Sequence, residues 1–398
     1  MSRRLLAAGG TPCHSQSQIL MREFIHACLY DESGGFFARE SPVVAPMKQG
    51  PVWGVRSKEE YYEYVASQYR KGQNTFLTPS EIFSPLLGQC VAHYVMHEFP
   101  EGVRIVEIGS GSGTMALDVI TEMKRHSYQL GSFTSVEISK VLSARQGARL
   151  GHANHGDVYR SIHADATQRK TWEQFEDGVP TLIIGMEVLD NLAHDKVQVS
   201  RSGVWQQTLV DMTERREVLA PVTDETIGKV LDSYETNYRD TRRPIRDTVM
   251  KFLLDATGVP DPVWLPTGAF QLFDAVRNVR HEMLLCDFDF LPGVVLAGEN
   301  APLVSSVKDG RAVDRGELLS AAGRNDIFFP TRFSLLGKIY EDAMGGRATR
   351  VETMKHRVFV ERVMAHSPEL RASATLSDTW CPLLEDYENT SCARLSTL

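Results

Sequence analysis

The sequence predicts an α/β fold: a Rossmann-like parallel sheet with helices on both faces. Two observations predict it. From residue 103 onward, short apolar runs alternate with helical periodicity. A loop of alternating glycines, "GSGSGT", joins the first of those runs to the first of those helices.

In order, "SQSQILMREFIHACLY" reads as a helix capped by serine, and "SKEEYYEYVASQYR" as a second helix. Between them, Gly and Pro break "ESGGFFARESPVVAPMKQGPVWG" into loop. "TFLTPSEIFSPLLGQCVAHYVMHEF" reads as a turn and a long helix, with Pro85 interrupting it or starting its regular part. Then "VRIVEIG", "FTSVEIS", "VYRSIHAD" and the start of "TLIIGMEVLDNL" read as four strands. "TMALDVITEMKRH" and "KVLSARQGARLG" are the first two intervening helices. "HDKVQVSRSGVWQQTLVD" reads as a hairpin turning at "RSG", and "EMLLCDFDFLPG" as a buried strand ending in acids. The expected organisation is a mitochondrial targeting segment over 1–16, a helical region over 17–100, and the sheet domain over 101–398. A polar, helical insertion or cap is expected at about 211–261.

Composition narrows the function. The chain has 398 residues, 42% hydrophobic and 24% charged, which is ordinary for a globular protein with ample core. A net charge of −8 argues against a general nucleic-acid binder. Arg239, Arg242, Arg243 and Arg246 make one local basic stretch, read as a solvated helix end or a binding patch. The six cysteines form no CxxC pair, so neither a zinc site nor a disulfide framework is expected. No apolar run approaches the ~20 residues of a membrane helix, so no membrane insertion is expected. "MSRRLLAAGGTPCHSQSQILMR" carries arginines and serines and no acid before Glu23, the composition of a mitochondrial transit segment.

The glycine loop carries the chemistry. A dinucleotide fingerprint wants a third glycine or alanine where Thr114 stands, which weakens an NAD or FAD reading. Gly109, Gly111 and Gly113, with Glu107 just before them, fit an S-adenosylmethionine loop better, the acid facing the ligand's ammonium. Glu137 closes the second strand, where a carboxylate can accept both ribose hydroxyls. Asp165 follows the third strand, where one can accept from the adenine amino group. Glu187 and Asp190 follow the fourth, at the edge of the sheet where ligands bind. Each acid has a plain structural alternative: a cap, a turn former, a buried ion-pair partner. Their order on four successive strands favours a class I methyltransferase sheet.

Several motifs resemble one family. "TFLTPSEIFSPLLGQCVA" is similar to its early Thr-Ser-Pro-Glu-Ile element, and "VEIGSGSGTMALDVI" to its "ELGPGRGTL" loop. "SVEISKVLSARQ" is similar to "EISPxLxxxQ", "GMEVLDNL" to "ANEFFDALP", and "YDESGGFF" to "PxxGYY". This is the MidA-like family of S-adenosylmethionine-dependent methyltransferases, and the resemblance covers roughly residues 17–393. It implies an arginine of a partner protein as substrate, in the mitochondrial matrix, in the assembly of a large complex. It implies that Glu107, Gly109, Gly111, Glu137 and Asp165 line the cofactor. It places Glu81 and Glu187 near the transferred methyl, with Asp190 a third acid there. No metal is needed, direct nucleic-acid contact is not expected, and His163 and His194 are read as structural.

The sequence also departs from that pattern. Ser112 replaces the loop arginine, one more residue separates Pro79 from Glu81, and Arg332 stands where an acid is usual. The retained acids favour an enzyme. Ser112 and Arg332 favour a catalytically weak or inactive scaffold, serving a respiratory complex or the mitochondrial ribosome.

Overall fold

The computed structural model describes residues 17–38, 55–71, 78–241, 261–291, 294, 298–308, 311–314, 317–320, 323 and 325–398. The region expected to be a targeting segment lies outside them. So do the side chain of Arg239 and all of Arg242, Arg243 and Arg246.

The chain opens with strand β1 (Gln18–Leu20), helix α1 (Met21–Tyr30), α2 (Lys58–Lys71), α3 (Pro79–Ile82) and α4 (Leu86–Glu98). Then come β2 (Arg104–Ile108), α5 (Thr114–Arg125), β3 (Ser132–Glu137), α6 (Lys140–His152), β4 (Tyr159–His163), α7 (Arg169–Trp172) and β5 (Thr181–Met186). These follow the expected alternation. The hairpin is β6 (Asp195–Val199) and β7 (Trp205–Asp211), and it is followed by β8 (Arg216–Pro221) and α8 (Glu225–Thr241). After β9 (Val263–Leu265) and α9 (Thr267–Val276) comes β10 (His281–Phe288). The rest is β11 (Leu303–Lys308), β12 (Arg311–Asp314), β13 (Asp326–Phe328), α10 (Phe333–Met344), β14 (Arg350–Lys355), α11 (His356–His366), α12 (Pro368–Ala374), α13 (Pro382–Glu385) and β15 (Thr390–Ser396).

Seven strands form the central sheet in the order β14-β15-β10-β5-β2-β3-β4. β10, β5, β2, β3 and β4 run parallel, and β15 runs antiparallel between β14 and β10. Strands buried on both faces must be apolar throughout, which is why "TLIIGM" is continuous rather than alternating. Alternate residues serve two cores. Ile105, Leu182, Ile184 and Leu284 face α4, α5 and α11. Val106, Ile183, Met283 and Leu285 face α8, α9 and α10.

Two expectations are corrected. The first helix starts at Met21, not at a serine cap, because residues 18–20 pair with β7 as a strand. Glu23 instead accepts from the Leu20 N–H at 3.0 Å and closes the first turn. The stretch after 211 is not helical at first, because β8 returns along β7 before α8 begins. Helix α8 buries Ile227, Val230, Leu231 and Tyr234 against the sheet's second face.

Candidate functional site

The carboxyl ends of β2, β3, β4, β5 and β10 open onto one cavity of about 380 Å³. It brings together Glu81, Glu107, Gly109, Gly111, Glu137, Asp165, Glu187 and Asp190. Gly113 stands behind it as the N-cap of α5, with φ +79°.

At one end lies the glycine loop. Gly109 has φ +65°, and a Cβ there would come within 2.2 Å of Val188 Cγ2, so the loops after β2 and β5 touch through a missing side chain. A buried network braces the loop. Glu81 accepts from the hydroxyls of Ser112 and, at 2.5 Å, Thr114. Arg149, from α6, donates to Ser112 Oγ at 3.1 Å and Thr114 Oγ1 at 2.7 Å. A guanidinium therefore reaches this loop from a helix rather than from position 112.

The strand-end acids differ in partnering. Glu137 Oε1 accepts from the Ser139 N–H at 2.9 Å, and Oε2 from Gln146 Nε2 at 3.2 Å. Burial pushes its pKa up to about 7. Glu107 is pushed up to about 7 for the same reason, and its Oε2 is buried without a hydrogen-bond partner. Asp165 takes hydrogen bonds from Thr167 N at 2.8 Å and Thr167 Oγ1 at 2.7 Å, and pairs with His26 Nε2 at 3.3 Å. Burial raises its pKa, but these bonds outweigh burial and hold it below the ordinary value.

The other end is a pocket of acids. Glu187 sits at φ +51°, a left-handed conformation strained for a glutamate. Burial, then neighbouring Asp287, raise its pKa well above the ordinary value. Asp190 is raised likewise, by burial first and then by Asp287, Asp326 and Glu187, and its Oδ1 is buried without a partner. Asp287 holds the turn: its Oδ2 accepts from the N–H groups of Val188, Leu189 and Asp190 at 3.1, 2.8 and 3.1 Å. Asp326, raised to about 7 by burial, accepts from Asn191 Nδ2 at 3.0 Å.

Sequence reasoning missed His26, Tyr30, Asp287 and Asp326. His26 and Tyr30 are one helical turn apart and both line the cavity, a spacing visible in "FIHACLY". Asp287 lies in "CDFDF", read only as acids ending a strand. Asp326 had no local signal, because β13 reaches the cavity from a separate three-stranded sheet. Arg332 is not among the lining residues; it pairs with Glu299. His194 stacks on Phe329 with ring centroids 3.8 Å apart, and burial lowers its pKa to about 4.

A sheet with one antiparallel strand next to its edge, a glycine loop after β2 and acids closing the next strands define a class I methyltransferase. The chain belongs to the family described as "Putative S-adenosyl-L-methionine-dependent methyltransferase", which matches residues 86–351. It is 27% identical over 156 residues to the mitochondrial protein arginine methyltransferase NDUFAF7 homolog of Drosophila melanogaster, covering 35% of each chain. It is 30% identical over 148 residues to NDUFAF7 of Xenopus tropicalis, 33% of this chain and 34% of that one. The match thus spans about a third of the length of these relatives. With the Schizosaccharomyces pombe homolog it is 22% identical over 342 residues, 74% of this chain and 68% of the other. A Burkholderia thailandensis protein crystallised with S-adenosyl-homocysteine shares the fold, at TM-score 0.60 and 16% identity. That alignment covers 96% of this chain and 88% of that one.

The cavity fits the family's cofactor. The partnerless Glu107 oxygen, buried in the cavity lining, suits an ammonium. It answers the cationic amino-acid end of that cofactor.

Proposed function

We propose that this chain is an S-adenosylmethionine-dependent methyltransferase acting on an arginine side chain of a partner protein, in the mitochondrial matrix, during assembly of a large complex. The observation that carries the reading is the shared cavity. Its acid end, with Glu187, Asp190 and Asp326, adjoins the glycine-loop end directly. The printed names of the curated relatives support an arginine substrate and a mitochondrial setting.

When bound, S-adenosylmethionine supplies an electrophilic methyl group on a sulfonium. Glu107, Glu137 and Asp165 hold its ammonium, ribose and adenine, while Gly109 and Gly111 let the backbone come close. Glu81 acts through Ser112 and Thr114 and keeps the loop in shape, which makes it a positioning residue. An arginine guanidinium is always charged, with pKa above ~12. Glu187 and Asp190 grip its planar fork, and the cation draws both carboxyls into their ionised forms. The nitrogen held by these two acids would take up that methyl group, with the electron pair of the sulfur–carbon bond left on sulfur. Glu187 takes the proton released from nitrogen. Asp287 positions both acids through three backbone N–H groups.

Arg332 pairs with Glu299 and stays out of the cavity lining, which removes one of the two grounds for a silent scaffold. The test is incubation of the purified chain with methyl-labelled S-adenosylmethionine and a mitochondrial matrix extract. Label on an arginine of one protein, lost with Glu187→Gln, is expected. Tight cofactor binding without label on any protein would favour the scaffold.

A further inference from the structure

Helix α5 starts at the glycine loop, and its 12 residues carry the chain about 18 Å away from it. Around its far end a second cleft is lined by four histidines: His93, His97, His126 and His366. His97 and His366 stack, with centroids 4.2 Å apart. The other two converge. Nε2 of His93 and Nε2 of His126 each lie 3.1 Å from Oε1 of buried Glu122. Glu369, in the first turn of α12, places its Oε1 4.0 Å from His93 Nε2 and 3.8 Å from His126 Nε2.

We propose that His93, His126 and Glu369 form a site for a divalent transition metal of the zinc class, which fastens α12 to the α4–α5 pair. Two imidazoles and a carboxylate are a borderline-soft donor set that suits zinc and its neighbours better than calcium or magnesium. Donor atoms of the three residues lie within 4.8 Å of one another. A tetrahedral ion with bonds near 2.0–2.1 Å needs them about 3.3–3.5 Å apart, so small side-chain rotations close the site. The three residues come from α4, the end of α5 and α12, so a bound ion ties segments that are distant in sequence. Without an ion, both imidazoles and the Arg125 guanidinium converge on the single Glu122 Oε1. A cation replaces the imidazole protons there and leaves Glu122 beside it as counter-charge. Arg125 Nη2 also lies 3.1 Å from His126 Nε2; mostly exposed, it can turn outward, so it competes with the metal for both His126 and Glu122.

The test uses the full chain, stripped with a chelator and titrated with zinc chloride in a calorimeter, with cobalt(II) absorption as a second readout. One equivalent is expected. His126→Ala, at an exposed helix end, removes a ligand and should weaken uptake by more than the roughly ten- to hundred-fold that loss of an outer-shell partner costs, with unchanged circular dichroism. Glu369→Gln should weaken it less, Arg125→Ala should tighten it, and His97→Ala should leave it unchanged. No heat and no cobalt band, or uptake that His126→Ala leaves intact, would overturn the site.

Discussion

The two ends of the cavity are built on opposite terms. At the glycine-loop end the polar groups are mostly spoken for. Glu81, Ser112, Thr114 and Arg149 bond one another, Glu137 is held by Ser139 and Gln146, and among the described side chains here Glu107 Oε2 and Ser110 Oγ are left bare. At the acid end, Glu187 and Asp190 are crowded by other carboxyls, and among the described residues no lysine or arginine lines the cavity. A partnered network fixes a shape before any ligand arrives. A crowd of buried acids, whose charged forms are disfavoured by burial and by one another, is relieved when a cation enters. Under the proposed function, the difference teaches that one end would hold the cofactor, and the other would select a charged substrate and take its proton.

The sharpest break between the ends is Glu187→Gln. We expect labelled methyl transfer to fall about 10²–10⁴-fold while calorimetric cofactor affinity stays within about twofold. Equal losses in both would merge the two ends. Asp287→Ala removes the acceptor of four backbone N–H groups, those of Val188, Leu189, Asp190 and Phe288, and should lower stability by about 3 kcal/mol in urea melts. An unaltered midpoint would mean that the turn holds itself. Glu137→Ala should weaken cofactor binding by about 1.5–3 kcal/mol without moving the affinity for an arginine peptide. His26→Ala should act least, by about 1 kcal/mol on the cofactor, through loss of its contact with Asp165.

A pH series sharpens the comparison further. Glu107 and Glu137 stand near 7 in the folded chain, against 4.5 for a free side chain. Their raised values mean that stability is fully present at low pH and declines as pH rises through about 7. Melting temperature without ligand should fall between pH 5 and pH 8, and S-adenosylmethionine should offset the fall. Binding near neutrality should release protons, visible as heats that depend on the buffer's ionisation enthalpy. Buffer-independent heats would place both acids in their charged form beforehand.

The glycine-loop end was legible in the sequence because its parts are local. Each of its strand acids lies at or just past the end of a short strand: Glu107 one residue before the end of β2, Glu137 at the end of β3, and Asp165 two residues past β4. The acid end was half legible. Glu187 and Asp190 sit beside a strand, but Asp287 acts through the backbone, and Asp326 arrives from a different sheet. Helix α1 was read one turn too long, because strand pairing with β7 overrode the capping pattern. Strands β14 and β15 were not read at all. "RVETMK" and "TSCARLS" are polar enough to pass for loop, and their order in the sheet is reversed from their order in the chain.

That reversal governs how the molecule can be assembled. β15 lies inside the sheet, between β10 and β14, yet synthesis or threading through a pore delivers it after every other described strand. Until residues 390–396 emerge, β10 has one bare edge and β14 has no neighbour. A half-made chain therefore carries an open, hydrophobic strand edge that invites pairing with other chains. Vectorial delivery gives this protein a waiting period, and whatever shields that edge decides how many copies survive it.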